Sequence, residues 1–170
     1  MQVFGDESER RDYLLCAVLV AGSADPVRAA LRRLLMPGQR RLHFSKEQPR
    51  RRKSILAALS DSGISARVYS CPGAVKESRE TCLMALVPDI VGAGARRLVL
   101  ESRESMNHLD VLVIDAALRK HGNRDLEYCH RRPHEEPVLW AADAIAWASG
   151  AGVDWRRRVD PLISNFVALG

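Results

Sequence analysis

No apolar segment of this sequence approaches the roughly 18 to 20 residues needed to cross a bilayer, so a membrane-spanning helix is excluded. The first residues also lack a basic stretch followed by an apolar run and a small-residue cleavage site. The expectation is a cytoplasmic protein with no membrane partner. Cysteine is scarce: Cys16, Cys71, Cys82 and Cys129 are scattered, without the close spacing of a zinc knuckle or the density of a disulfide scaffold. Reduced core thiols are expected. There is no internal repeat, low-complexity tract or linker-like stretch, so residues 1–170 are expected to form a single domain with a sizeable core. Acidic residues are nearly missing from 28–53, where Glu47 stands alone against Arg28, Arg32, Arg33, Arg40, Arg41, Lys46, Arg50, Arg51, Arg52 and Lys53. A run of this kind suits a phosphate backbone, since neutralising phosphates releases counterions. The same run also reads as the solvated face of a helix.

What is present is an alternation of short apolar runs and amphipathic segments. Strands are expected at about residues 2–7 and 13–21, joined as a hairpin through the polar Glu9-Arg10-Arg11-Asp12. Asp25-Pro26 opens a helix to about residue 36, with Val27, Ala30, Leu31, Leu34 and Leu35 at helical spacing. A second helix is expected at about 50–61, a strand over 64–71, a helix over 74–92 and a strand over 96–101. Then come a helix over 108–122, a strand over 126–129 and a helix over 136–150. The remainder reads as a short helix broken at Pro161 and a packed tail. All-apolar strands alternating with helices indicate parallel strands covered on both faces, and the opening hairpin adds antiparallel ones. The expected architecture is a mixed five-stranded α/β sheet flanked by helices.

Three acids stand out on this scaffold. Asp6 ends the first strand. Glu101 closes Leu98-Val99-Leu100, at the carboxyl end of a strand buried on both faces, where open α/β sheets present ligands. Asp143 interrupts a helix so apolar that the carboxylate cannot avoid partial burial, and no cation lies within a turn of it on that helix. If the first and fourth strands run side by side and parallel, with the last helix across their ends, the three converge. That arrangement is the ribonuclease H-like fold. Clustered carboxylates repel one another and become tolerable beside hard divalent cations such as Mg²⁺ or Mn²⁺. Two such ions can activate a water and stabilise the leaving oxygen of a phosphodiester.

At these residues the chain resembles the prokaryotic group known as domain of unknown function 3800, which belongs to the ribonuclease H-like superfamily. The marks are Asp6-Glu7-Ser8 after a strand, the apolar strand pair, Leu42-His43-Phe44, the acid-ended Leu98-Val99-Leu100-Glu101, and Ala142-Asp143-Ala144-Ile145-Ala146. The resemblance spans nearly the whole chain and implies Asp6, Glu101 and Asp143 as metal-binding carboxylates, with Glu7 as a helper. Two departures bear on substrate geometry: Glu9 stands where members often have Gly, and Trp140 where they often have Gln.

The reading is therefore a Mg²⁺- or Mn²⁺-dependent nuclease in which Asp6 bridges two ions and Glu101 and Asp143 each hold one. Arg40, Arg41, Lys46, Arg50, Arg51, Arg52 and Lys53 would hold RNA or DNA. Glu47, Glu77 and Glu80 are candidates for a fourth carboxylate. The alternative is a non-catalytic nucleic-acid- or protein-binding module of the same fold. In that case Asp6 and Glu7 cap a turn, Glu101 pairs with Arg96 or Arg103, and Asp143 accepts a hydrogen bond from backbone or His43. Cys129-His130 with His134 forms a nucleophile and base only by proximity in sequence. Trp140, Trp147 and Trp155 are read as packing.

Overall fold

The structure is a computed structural model that describes residues 1–123 and 125–170. Its centre is a sheet built outward from the opening hairpin. β1 (Gln2–Glu9) and β2 (Tyr13–Val20) pair antiparallel from Gln2 opposite Val20 to Glu9 opposite Tyr13. β2 is buried along its whole length, as its unbroken apolar sequence requires. On one side β2 pairs antiparallel with β3 (Ser65–Cys71). On the other, β1 pairs in parallel with β4 (Arg97–Glu101), and β4 with β5 (Glu127–Arg131). β1 and β4 approach closely at Gly5, where a Cβ would stand 2.7 Å from Leu100 Cδ2.

The sheet has six strands, not the expected five. Ile163–Ala168 forms β6, which pairs in parallel with β3 and completes the order β5-β4-β1-β2-β3-β6. Ser164 and Asn165 break the apolar alternation of this segment, which hides an edge strand in the sequence. β1 also runs past its expected end at residue 7, so Asp6 and Glu7 lie within the hairpin rather than at a turn.

Strand alternation sends successive side chains to opposite faces. Phe4 of β1 packs toward α5 (Val138–Gly150), in a layer with α1 (Asp25–Arg33) and α2 (Pro49–Ser60), while Val3 packs in the layer of α3 (Val75–Gly92) and α4 (Asn107–Lys120). Every residue of α5 from Val138 to Ser149 is buried except Asp143. Its alanines let the helix lie close against β1 and β2. A short helix α6 (Val153–Val159) follows it and packs on α5 and α2. Among the described residues no helix is long and apolar enough to cross a membrane.

Candidate metal centre

The parallel pairing of β1 with β4 runs from Gln2 beside Arg97 to Gly5 beside Leu100. The next residues along are Asp6 and Glu101, and alternation turns both toward α5. Their carboxyls lie close enough for Glu101 to act on Asp6. Burial first, then that contact and the charges of Glu101, Glu7 and Asp143, hold Asp6 well above the usual carboxylate range. Asp6 Oδ1 also accepts the Glu7 N–H at 2.7 Å.

Asp143 lines the same cleft, of about 270 Å³, with Asp6, Glu7, Glu101, Arg41 and His43. Its Oδ2 accepts the Phe44 N–H at 3.1 Å, from a 3-10 turn over Phe44–Lys46. Burial, and then the charge of Glu101, push Asp143 up to about 6 against the opposing pull of that N–H and of Arg41. Among the described residues none of Asp6, Glu101 and Asp143 forms an ion pair. Arg103, weighed from the sequence as a partner for Glu101, instead binds Glu7 and Glu9 at 2.7 Å each, and Arg96 faces Asp125.

Within the same cleft, Arg41 Nη2 lies 3.2 Å from His43 Nδ1. A guanidinium only donates, so Nδ1 accepts and the ring hydrogen sits on Nε2. Burial and the charges of Arg41 and Lys46 lower the His43 pKa and favour this neutral form.

Glu7 stands on the opposite face from Asp6, and the residue that claims it was not singled out in the sequence. Arg79 of α3 is almost wholly buried. It donates to Glu7 Oε2 at 2.5 Å, to Asp110 Oδ1 and Oδ2 at 2.7 and 2.8 Å, and to the Tyr13 hydroxyl at 3.0 Å. His130 reaches Asp110 Oδ2 at 2.8 Å. Burial raises the Asp110 pKa, but the bonds from Arg79 and His130 outweigh it and hold the carboxyl below its usual value. A detectable signal existed, since Arg79 falls in the helical register of Cys82, Leu83 and Leu86 on the buried face of α3.

The other candidates are dispersed. Glu47 is buried against Arg51 and Gln39, and Glu77 and Glu80 are exposed on α3; none of the three lines the cleft. Cys129 and His130 point to opposite faces of β5, so they make no nucleophile and base pair; His134 is exposed in the loop beyond. Trp140 donates to Pro133 O and lines the cleft, while Trp147 packs edge-on against both Phe44 and Trp155.

The basic run divides. Arg51 pairs with Glu47 at 2.7 Å and bonds Leu34 O. Arg52 donates to Phe44 O and Ser45 O, with its guanidinium 4.3 Å from the Trp147 ring centre. Arg40, Lys46, Arg50 and Lys53 are exposed.

The donor chemistry of the acids fits a hard divalent cation: three carboxylates line one cleft, and Glu101 and Asp143 are among the charges that raise the Asp6 pKa. Among the described residues no three His, Cys, Asp or Glu side chains stand close enough to grip an ion as they are placed.

The mixed sheet, with its first and fourth strands parallel and α5 packed against β1 and β2, defines a ribonuclease H-like fold. A solved structure, the complex of PCNA and RNase HII from Archaeoglobus fulgidus, contains a chain that matches 95% of this one at a TM-score of 0.57 and 14% sequence identity, over 75% of its own length. At that identity the likeness shows the fold alone. No family model matches the chain, and no curated protein matches its sequence.

Proposed function

We propose that the protein is a divalent-metal-dependent nuclease, with Asp6, Glu101 and Asp143 as ligands of Mg²⁺ or Mn²⁺ and a phosphodiester of RNA or DNA as substrate. The carrying observation is that Asp6, Glu101 and Asp143 line one cleft and, among the described residues, none of them has an ion-paired cation. When bound, the metal would supply an activated water and positive charge against the phosphoryl oxygens.

The chain's own residues set the remaining conditions. Because Asp6 is held above the usual carboxylate range, a metal bound there would compete with a proton. Arg41 lines the cleft with the acids and offers a cation for a non-bridging phosphate oxygen, and the Nε2–H of His43 offers a neutral donor beside it. Glu7, neutralised by Arg79 and Arg103, fixes the rim without adding free negative charge.

One observation favours the alternative, a non-catalytic binding module: the bond from Phe44 N–H gives Asp143 a structural task. Cleavage of a mixed panel of RNA, DNA and hybrid duplexes with Mg²⁺ or Mn²⁺, beside Asp6→Asn and Glu101→Gln, separates the two. Metal-dependent cleavage abolished by both substitutions supports the nuclease. Wild-type protein that binds the panel and cleaves none of it in either metal supports the module.

A further inference from the structure

We propose that a second, non-catalytic phosphate-binding groove lies between α2 and α6 and carries the backbone of a nucleic-acid strand away from the cleft. Two adjoining hollows there share Lys53, Arg157 and Arg158, and the larger has a volume of about 490 Å³. All three side chains are exposed, and among the described residues none forms an ion pair. The one acid in the larger hollow is Asp154, which leaves it net positive.

The groove is mechanically joined to the acids. The Phe44 N–H bonds Asp143 at 3.1 Å. The Phe44 ring meets Trp147 at 5.3 Å between centroids, Trp147 meets Trp155 at 5.4 Å, and Trp155 lines the groove. At 1.5 Å of rise per residue, Trp147 lies about 6 Å along α5 from Asp143. A chain of three contacts therefore links the groove to the acids. Exposed Arg50 and Lys46 occupy the same stretch of chain as Lys53.

The chemistry selects nucleic acid over protein. The cores of protein interfaces are apolar and depleted of charge, whereas the larger hollow is lined by three cations, one aspartate, Pro49 and the half-buried Trp155. The inference rests on the nucleic-acid reading of the cleft, but its test needs no catalysis.

Binding of a fluorescent 20-base-pair RNA–DNA hybrid is measured in EDTA over a range of salt for wild type and for Arg157→Ala/Arg158→Ala. Lys76→Ala/Lys120→Ala serves as a control that removes the same charge from α3 and α4. The groove variant is expected to melt as wild type does, to bind several-fold more weakly, and to lower the slope of log affinity against log salt by about 2. The control keeps the wild-type slope. An unchanged slope in the groove variant, or an equal loss in the control, overturns the groove, as does wild-type binding to anionic vesicles but not to the hybrid. Wild type that cleaves while the groove variant binds normally leaves the nuclease standing and removes the groove. Wild type that never cleaves while the groove variant loses the slope does the reverse.

Discussion

Asp143→Asn separates the electrostatics of the cleft from its packing. The substitution removes a charge at almost constant shape and keeps an oxygen for the Phe44 N–H. In the folded protein the Asp143 carboxyl is pushed from 3.8 up to about 6, by burial first and by Glu101 next. Its proton is thus bound more tightly in the folded than in the unfolded chain. The associated stability is present below about pH 4 and lost as pH rises to about 6. At 1.36 kcal/mol per pH unit, ionised Asp143 costs the fold up to about 3 kcal/mol at pH 8. The asparagine carries no charge at either pH. The variant is expected to be about 1 to 3 kcal/mol more stable than wild type in urea melts at pH 8 in EDTA, and equal to it within a few tenths near pH 4. Mg²⁺ should raise the wild-type melting temperature by mass action and do so less in the variant. A variant less stable than wild type by 1 kcal/mol or more at pH 8 would show that the bond to Phe44 outweighs the crowding of the acids, and would refute the reasoning.

Arg79→Met should destabilise the fold by about 3 to 5 kcal/mol in urea at pH 7, because it removes a buried cation from two acids and leaves Glu7 only Arg103 and Asp110 only His130; a loss under about 1 kcal/mol contradicts that role. Arg52→Ala should lower the melting temperature through its bonds to Phe44 O and Ser45 O, whereas Arg50→Ala/Lys53→Ala should leave melting unchanged and flatten the salt dependence of nucleic-acid binding; equal effects on both properties would show that the basic run acts as one surface. Because Asp6 is held well above its ordinary value, Mg²⁺ affinity measured by calorimetry should rise with pH and binding should release protons; affinity flat from pH 5 to 8 argues against Asp6 as a ligand.

The parts of this fold legible in the sequence are those with a local cause. The apolar run of β2 and the acid closing β4 each carry their meaning within a few residues, and Asp143 betrays itself by the apolar helix around it. What escaped depends on distance or on facing. β6 is an edge strand whose partner, β3, lies about a hundred residues earlier. Arg79 lies 72 residues from Glu7 and 31 from Asp110, so its burial is a property of the tertiary structure. The basic run misleads for a geometric reason: adjacent residues on a helix point about 100° apart, so Arg50, Arg51, Arg52 and Lys53 cannot share one face. Two of the four turn to Glu47 and to the Phe44 turn instead.

The same rule resolves the acid pair in β1. Neighbours in a strand face opposite ways, so Asp6 and Glu7 cannot serve one centre equally. Glu7 faces Arg79, and the fold neutralises it with a permanent cation whose other bonds reach Asp110 and Tyr13. Asp6 faces Glu101 and Asp143 across a cleft that brings Arg41 to its wall but sets no ion-paired cation against any of the three acids among the described residues. The fold buries an arginine against Glu7 but, among the described residues, none against Asp6, whose carboxyl it holds well above the usual range; a divalent cation there would supply the positive charge that Arg79 supplies on the other face. That asymmetry across a single strand, more than the number of acids, is what makes the α5 face the candidate centre.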